Sequence, residues 1–509
     1  MTGTGSFGPF VFDSATGTLS RSGRPISIGG RGAALLSALV DADGGAVGKD
    51  ALIEAAWPGT IVEEGNLSVQ IATLRKALGR RPDGQEWIAT VPRVGYRLLK
   101  ASLPSPDLAA SVLPSLAVLP FGNLSGDAEQ EYFADGVVED IITALSRFRS
   151  FAVIARNSSF VYKGRAVDVR QVSKELGVRY VLEGSVRRGG ERLRITAQLV
   201  DGQTGAHLWA EHFDGAVGEV FEFQDRIAER VVGVVEPQIL WAEVSRSRRE
   251  RPDSIEAYDL YLRALARHYR LTAEDNAAAQ VLAEQAINLD PSNAVYLALM
   301  ANLMEFRSAM GLPPLRPDDK ERCRDFVERA LATAGDDATA LGLCGIALLQ
   351  YLKEYDRGMT IIDRAIRLNP NNFVVLLCAS IGKLHCGDLV ESIAHSEHAI
   401  RLSPGDAGAH WALTAIAHAH MVFGDYETAL SWAERSLGMN ANFAATYWML
   451  IAANAHLGRI DTALRYLAEL DRVSPGATLS SIKAGQPQKD PARTQAILEG
   501  LRLAGLPET

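Results

Sequence analysis

Residues 424–441, GDYETALSWAERSLGMNA, decide how the larger part of this 509-residue chain is read. Gly424 opens the stretch, an amphipathic run of helix length follows with Ala429 and Trp432 among its apolar positions, and Ala441 closes it. The same stop recurs on both sides. Pro370 ends RAIRLNP, Pro404 ends HAIRLSP and Pro475 ends LDRVSP, so that with Ala441 the spacings are 34, 37 and 34 residues. Further back, Gly335 ends RALATAG 35 residues before Pro370, and Pro291 ends QAINLDP 44 residues before Gly335, the excess matching an insertion GLPPLRPDD. A glycine lies 17 residues ahead of three of these stops, at Gly387, Gly424 and Gly458. Helix, glycine turn, helix and stop make an αα-hairpin of about 34 residues, repeated about six times over 255–475.

The pattern resembles the tetratricopeptide repeat, on the strength of the Gly424-Asp425-Tyr426 turn, the small Ala429 and the terminal prolines. The resemblance implies an all-α superhelix over 253–509, each hairpin burying its apolar face by stacking on its neighbours. It also implies a groove for a protein or peptide partner, or for self-association that would place a homodimer on DNA.

Upstream, a charge run closed by proline, RSRRERP at 246–252, reads as a break, and ASLPSPDLAASVLP at 101–114 reads as a linker. Between them, 115–245 alternates strand-like runs (SLAVLPF, FAVIAR) with helical ones (EYFADGVVEDIITALSRF, VRQVSKELG). RYVLEGSVRR and ERLRITAQLVD read as two strands about Gly189-Gly190, with Leu193, Ile195, Ala197 and Leu199 on one face. HLWAEHFD adds a strand and VFEFQDRIAERVVGVV a closing helix, which makes a small α+β domain. The phrases LAVLPF, GSVRRGGERLRITAQLVD and TGAHLW resemble the TolB-type amino-terminal domain of some bacterial regulators and cyclases, which implies a signal-input or docking role.

The first hundred residues read as a small antiparallel sheet over 7–28, helices near 30–42, 48–56 and 63–79, and two closing strands through WIATV and GYRLL. EAAWP at 54–58, the NLSVQIATLRKALG helix and the TVPRVGYRL hairpin resemble the winged helix-turn-helix effector domain of OmpR-type response regulators. At 100° per residue, Leu67, Ile71, Leu74 and Leu78 form one stripe that must face the core. Val69, Ala72, Thr73 and Lys76 then lie opposite, flanked by Asn66, Ser68 and Gln70. An aliphatic group there can meet a thymine methyl, and an amide can meet an adenine edge. Arg75, Lys76, Arg80 and Arg81 cluster at the helix end, where cations suit both the dipole and DNA phosphates. The family resemblance puts Thr90 and Arg93 in a wing that touches the adjacent minor groove or backbone. Where many relatives carry arginines in mid-helix, this chain has Ala72 and Thr73.

Charge agrees with that placement. Lys plus Arg is 52 and Asp plus Glu 61, a net −9, yet residues 1–100 are net +2 and the remainder net −11. Hydrophobic residues at 47% and charged residues at 22% describe a globular chain, not a disordered one. Four cysteines, all within 323–386, offer no disulfide framework, MTGTGSFGPFVF is no signal peptide, and no apolar run reaches bilayer length, so a cytoplasmic protein without a membrane anchor is expected.

Several signals stay structural. GGRG at 29–32 lacks the Lys-Ser/Thr of a phosphate loop. His395 with His398, and His418 with His420, have no third ligand, and Cys344 and Cys378 occupy equivalent repeat positions. No catalytic constellation, metal or cofactor is expected, and no receiver module with a phospho-accepting aspartate. The sequence therefore points to a multidomain, non-enzymatic regulator binding double-stranded DNA. The competing reading is an interaction scaffold whose winged helix does not meet DNA.

Overall fold

A computed structural model describes residues 4–509 except 8–9, 15, 22–23, 27, 43–44, 46, 61, 63, 80–85, 92–93, 99–112, 126–128, 166, 217–219, 252–253 and 488. The chain forms two units, Met1–Ala110 and Ser111–Thr509. Most of the linker read at 101–114 lies outside the described residues.

In the first unit, β1 (Thr4–Phe7), β2 (Phe10–Asp13), β3 (Thr18–Arg21) and β4 (Arg24–Ile26) form an antiparallel sheet in chain order. Three helices follow, α1 (Gly29–Asp41), α2 (Lys49–Ala56) and α3 (Glu64–Leu78). Strand β5 (Val47–Gly48) pairs with β7 (Gly95–Leu98), which also pairs with β6 (Ile88–Val91). Phe10, Phe12 and Leu19 from the first sheet meet Leu35, Leu36 and Leu39 of α1 and the leucine stripe of α3 in one core. The Phe10 and Trp87 rings meet edge to face at 5.4 Å, tying the first sheet to the start of the second.

The second unit begins with a mixed sheet. Strands β8 (Ser115–Val118), β9 (Gly122–Asn123), β10 (Ala152–Val153), β11 (Tyr180–Gly189), β12 (Arg192–Asp201) and β13 (His207–Ala216) lie in the order β10-β8-β11-β12-β13, with β9 on β11. The β8 pairings are parallel and the β11-β12-β13 meander antiparallel. Gly190, at φ 65°, occupies the left-handed conformation that closes the two-residue β11–β12 turn. Leu193, Ile195, Ala197 and Leu199 are all buried, and α4 (Glu129–Leu145) and α6 (Val220–Glu250) cover that face. A shorter helix, α5 (Val169–Leu176), precedes β11.

Helix α6 does not stop at the charge run. It continues through Arg246 to Glu250, because Arg246 is paired with the buried Glu243 carboxylate, which also accepts a 2.6 Å hydrogen bond from the Tyr180 hydroxyl. Phe223, Ile227, Val231 and Val235 of α6 belong to the sheet's core, whereas Val244 packs on Tyr258 and Leu262 of the first repeat helix. The middle segment and the repeat array share one helix.

The array pairs its helices as α7 (Ala257–His268) with α8 (Ala273–Leu289), α9 (Ala294–Ala309) with α10 (Asp319–Thr333), and α11 (Ala338–Gln350) with α12 (Tyr355–Leu368). The pattern continues with α13 (Phe373–Cys386) and α14 (Leu389–Leu402), α15 (Ala409–Phe423) and α16 (Tyr426–Met439), and α17 (Ala444–His456) and α18 (Ile460–Val473). Pro291, Pro370, Pro404 and Pro475 each follow the second helix of a pair, where a missing N–H costs nothing. Small residues let the pairs close: Ala429 is fully buried, and Thr414, Ser436 and Thr446 share hydroxyl hydrogen bonds of 2.8–3.0 Å across three helices.

The last helices, α19 (Leu479–Gly485) and α20 (Ala492–Leu503), do not extend the stack. They fold back across its inner face. Gln486 Nε2 donates to the Ala309 carbonyl (2.9 Å) of α9, and His418 Nε2 and His456 Nε2 each lie 2.7 Å from a carbonyl of the C-terminal segment, Arg493 and Ala496. The groove read from the repeats is thus partly lined by the chain's own end. The inner face also closes on itself: His268 of the first pair stacks on Trp411 of the fifth (5.8 Å between ring centres), and Asn442 Nδ2 reaches the Arg270 carbonyl. His398, set aside as a metal candidate, bridges α14 to Glu229 of α6 at 2.6 Å.

Two expectations follow. A Cβ on Gly500 would lie 2.6 Å from the Ala452 backbone, so Gly500→Val should cost about 1–3 kcal/mol by overpacking, read from urea denaturation of the intact chain. Burial also pushes the Glu236 carboxyl up to about 7 and Glu305 up to about 8, while the unfolded groups titrate near 4.5. Between these values the folded chain holds protons that the unfolded chain has released, so this contribution is complete below pH 4.5 and is lost as pH rises through 7–8. His268, His410 and His418, pushed down to about 4, act with the opposite sign but only below their usual 6.5. The melting temperature of the second unit should therefore fall from pH 6.5 to 8, and Glu305→Gln should flatten that fall. A flat profile in the unmodified chain would contradict the burial of these carboxyls.

Candidate nucleic-acid interface

Helices α2 and α3 and the β6–β7 hairpin follow one another as a helix-turn-helix with a wing. Trp57 ends α2 in a non-helical conformation, its N–H returning to the Ile53 carbonyl (2.8 Å), and the Arg31 guanidinium of α1 lies 5.6 Å from its ring centre. The rotation of α3 follows from its apolar stripe. Leu67, Ile71, Leu74 and Leu78 are each at most 1% exposed, so the opposite side must face solvent.

On that side Val69 is 63% exposed, and Asn66, Ser68, Ala72, Thr73 and Lys76 are exposed with it. Gln70 is half-buried at the edge. The Thr73 hydroxyl donates to the Val69 carbonyl (2.9 Å), which leaves its lone pairs and methyl outward. Ser68 Oγ lies 3.5 Å from the Tyr96 hydroxyl of β7. Lys76 makes no hydrogen bond or ion pair with the described residues, and its ammonium is open to an anion. Arg80, Arg81 and Arg93 lie outside the described residues.

Arg75 departs from the expectation that it serves phosphates. Its Nε and Nη2 donate to the Ile88 carbonyl (2.9 and 2.7 Å), Nη2 also reaches Thr90 Oγ1 (2.9 Å), and Nε lies 2.5 Å from the Glu86 carboxylate. The guanidinium stands 5.8 Å from the Tyr96 ring centre. Arg75 is a strut between α3 and the wing. Helical spacing located it correctly near the C-terminal end, but it sits between the buried stripe and the solvent face, so acceptors on β6 reach it first. Thr90 is exposed on the wing and gives part of its acceptor capacity to Arg75.

Two positions escaped the sequence reading. Val94 is 48% exposed beside the hairpin tip, and Arg97 points outward from β7 between the buried Tyr96 and Leu98. The period-two alternation of GYRL carried the signal for Arg97. Lys76 and Arg97 are thus cationic groups that the described part of this module exposes.

Residues 23–98 match the family described as transcriptional regulatory protein, C terminal. Residues 111–230 match the second domain of HilA/YgeH-like transcriptional regulators. A Rhizobium meliloti protein named "Putative adenylate cyclase 3" is 41% identical over 237 residues, 47% of this chain and 40% of that relative. The transcriptional regulator HilA of Salmonella typhimurium is 23% identical over 417 residues, 79% of this chain and 71% of HilA. The solved DNA-binding domain of E. coli CadC is 28% identical, covering 20% of this chain and 96% of the domain with a TM-score of 0.18. The first of these relatives is thus spanned over less than half of its length. Among the described residues no helix is long and apolar enough to cross a membrane, and no group of three His, Cys, Asp or Glu is placed to hold a metal.

The strut assignment has a direct test. Arg75→Ala removes the donors to a buried carbonyl and should destabilise the module by about 1–3 kcal/mol, with faster amide exchange across 88–98. Lys76→Ala should stay within about 0.5 kcal/mol of the parent. Equal effects of the two variants would reverse the assignment.

Proposed function

We propose that this chain is a DNA-binding transcriptional regulator in which the winged helix over residues 1–100 lays α3 in a major groove, while 115–245 and 253–509 receive a signal or hold a protein partner. One observation carries the reading: the helix after the turn buries one complete leucine stripe and turns an uncharged, partly aliphatic face with a single terminal lysine to solvent. The serial match to two families of transcriptional regulators supports it.

Each exposed group has a task in the proposed complex. Val69 and Ala72 meet thymine methyls, Asn66 and Gln70 offer amides to an adenine edge, and Ser68 and Thr73 bond to bases or sugar oxygens. Lys76 takes a phosphate. Arg80, Arg81 and Arg93, which follow α3 and occupy the wing turn in sequence, add further phosphate contacts, with Thr90 beside them. Arg75 acts by positioning the wing rather than by touching DNA. The absence of charge in mid-helix places more of the discrimination on shape and apolar contact and less on affinity.

The middle segment is read as a TolB-like docking or input domain and the array as the site of a protein partner or of self-association. The chain is read as non-enzymatic. The activity in the cyclase relative's name belongs to that protein, of which this chain covers 40%.

Fluorescence anisotropy of the intact chain on random duplex, titrated with salt, tests the reading. Lys76→Ala should weaken all sequences alike and lower the salt slope by about one unit. Val69→Ala should keep the slope and lose about 1 kcal/mol of preference at one thymine position. If the intact chain shows no affinity for duplex DNA at low salt, the winged helix is a protein-contact module instead.

A further inference from the structure

Within the second unit, α6, the first helix of each of the six repeat pairs and the C-terminal helices line an open-mouthed cavity of about 600 Å³. That volume is in the range of small-molecule sites and is walled by the chain's own end, so it does not suit an extended peptide. Its lining is unusual for a space left between repeats. Trp448, His268 and His385 line it and are more than nine-tenths buried, and Trp448 Nε1, His268 Nδ1 and His385 Nδ1 have no hydrogen-bond partner among the described residues. Native structures seldom leave such atoms unmet.

At another wall stands Glu236, which accepts one hydrogen bond, from Ser150 Oγ at 3.3 Å, and has no cation within ion-pair distance among the described residues. Asp337 lines the same cavity and uses one carboxylate oxygen to cap α11 through the Ala340 N–H (2.9 Å). Tyr261 and Tyr269 add aromatic rings to that wall: Leu240, one turn along α6 from Glu236, packs in one cluster with Tyr261, and Trp241 of α6 meets the Tyr269 ring at 5.1 Å. Arg149 is the cation at this rim, and it is exposed to solvent. Aliphatic side chains such as Leu299, Ile346 and Leu377 supply much of the remaining wall. Carboxyl groups beside aromatic faces make a site for a positive centre that a dry wall alone would reject.

We propose that this cavity binds an amphipathic organic ammonium compound, its nitrogen between Glu236, Asp337 and the Tyr261 and Tyr269 rings, and its apolar body along the aliphatic wall. The site lies outside the winged helix and is independent of the DNA-binding reading. Burial holds Glu236 near 7, so a bound ammonium easily draws it into the charged form, and His268, held near 4, is neutral at pH 7 and does not repel the ligand.

Calorimetric titration of the full chain at pH 7.5, free of DNA, with three probes that share a phenoxyalkyl body decides the matter: 4-phenoxybutylamine, 4-phenoxybutan-1-ol and 4-phenoxybutyrate. The amine should saturate one site, quench tryptophan emission, and bind at least tenfold more tightly than the alcohol, with the carboxylate weakest. Glu236→Gln, which keeps the side chain's shape, should abolish the margin of amine over alcohol. The proposal is overturned if the amine fails to saturate, if the alcohol or carboxylate binds as tightly, or if Glu236→Gln preserves the margin. Should that variant not fold, the ranking of the three probes on the unmodified chain decides alone.

Discussion

The second unit depends on one helix being shared by two cores. Helix α6 places Phe223, Ile227, Val231 and Val235 under the mixed sheet, and then, past Pro237, places Val244 against Tyr258 and Leu262 of the first repeat. An αα-hairpin cannot bury its apolar face alone, so the first of a stack needs a cap. Here the cap is the tail of a neighbouring domain's helix. Glu243 shows how closely the two are joined: it takes the Tyr180 hydroxyl from the sheet and Arg246 from its own helix in a fully buried position. Removing Arg246 would leave a buried carboxylate without its counter-charge, which is expensive wherever it occurs.

The first unit rests on a similar economy. Four leucine-stripe residues set the rotation of α3, and everything the helix can offer a ligand is what remains on the other side. The wing is not an independent hairpin either. Arg75 fastens it to α3 through the Ile88 carbonyl and Glu86, so the distance between the exposed face of α3 and the wing is set by a guanidinium. A planar fork with several fixed donors suits that work better than an ammonium on a flexible stem.

Period and punctuation made much of this legible from the residues. The 34-residue stops located the helix pairs, the alternation of Leu193 to Leu199 located a buried strand face, and the wheel of α3 separated its buried stripe from Val69. What stayed hidden was long-range. Nothing local distinguishes Arg75 from Lys76, since the difference lies in acceptors on a strand more than ten residues away. The charge run at 246–250 reads as a break until Glu243 and its partners are seen. The fold-back of α19 and α20 was equally unreadable, because helix-length runs after the last repeat look like more repeats. The inner cavity is assembled from side chains up to about 385 residues apart, and no window of sequence contains it.

The closure of the array's inner face bears on how the chain is made. A repeat stack in which each hairpin touches only its neighbours can form from its first residue onward as it leaves the ribosome. This one cannot finish that way. His268 and Arg270 wait for Trp411 and Asn442, and α9 waits for Gln486, some 180 residues later. Until synthesis passes α19, the inner face of the first pairs lacks these contacts, which are among the most distant in the chain. Such distant contacts slow folding because loop closure must come before any reward. The early repeats therefore remain a nascent-chain liability for most of translation, and the second unit becomes a finished object only when its last helices arrive.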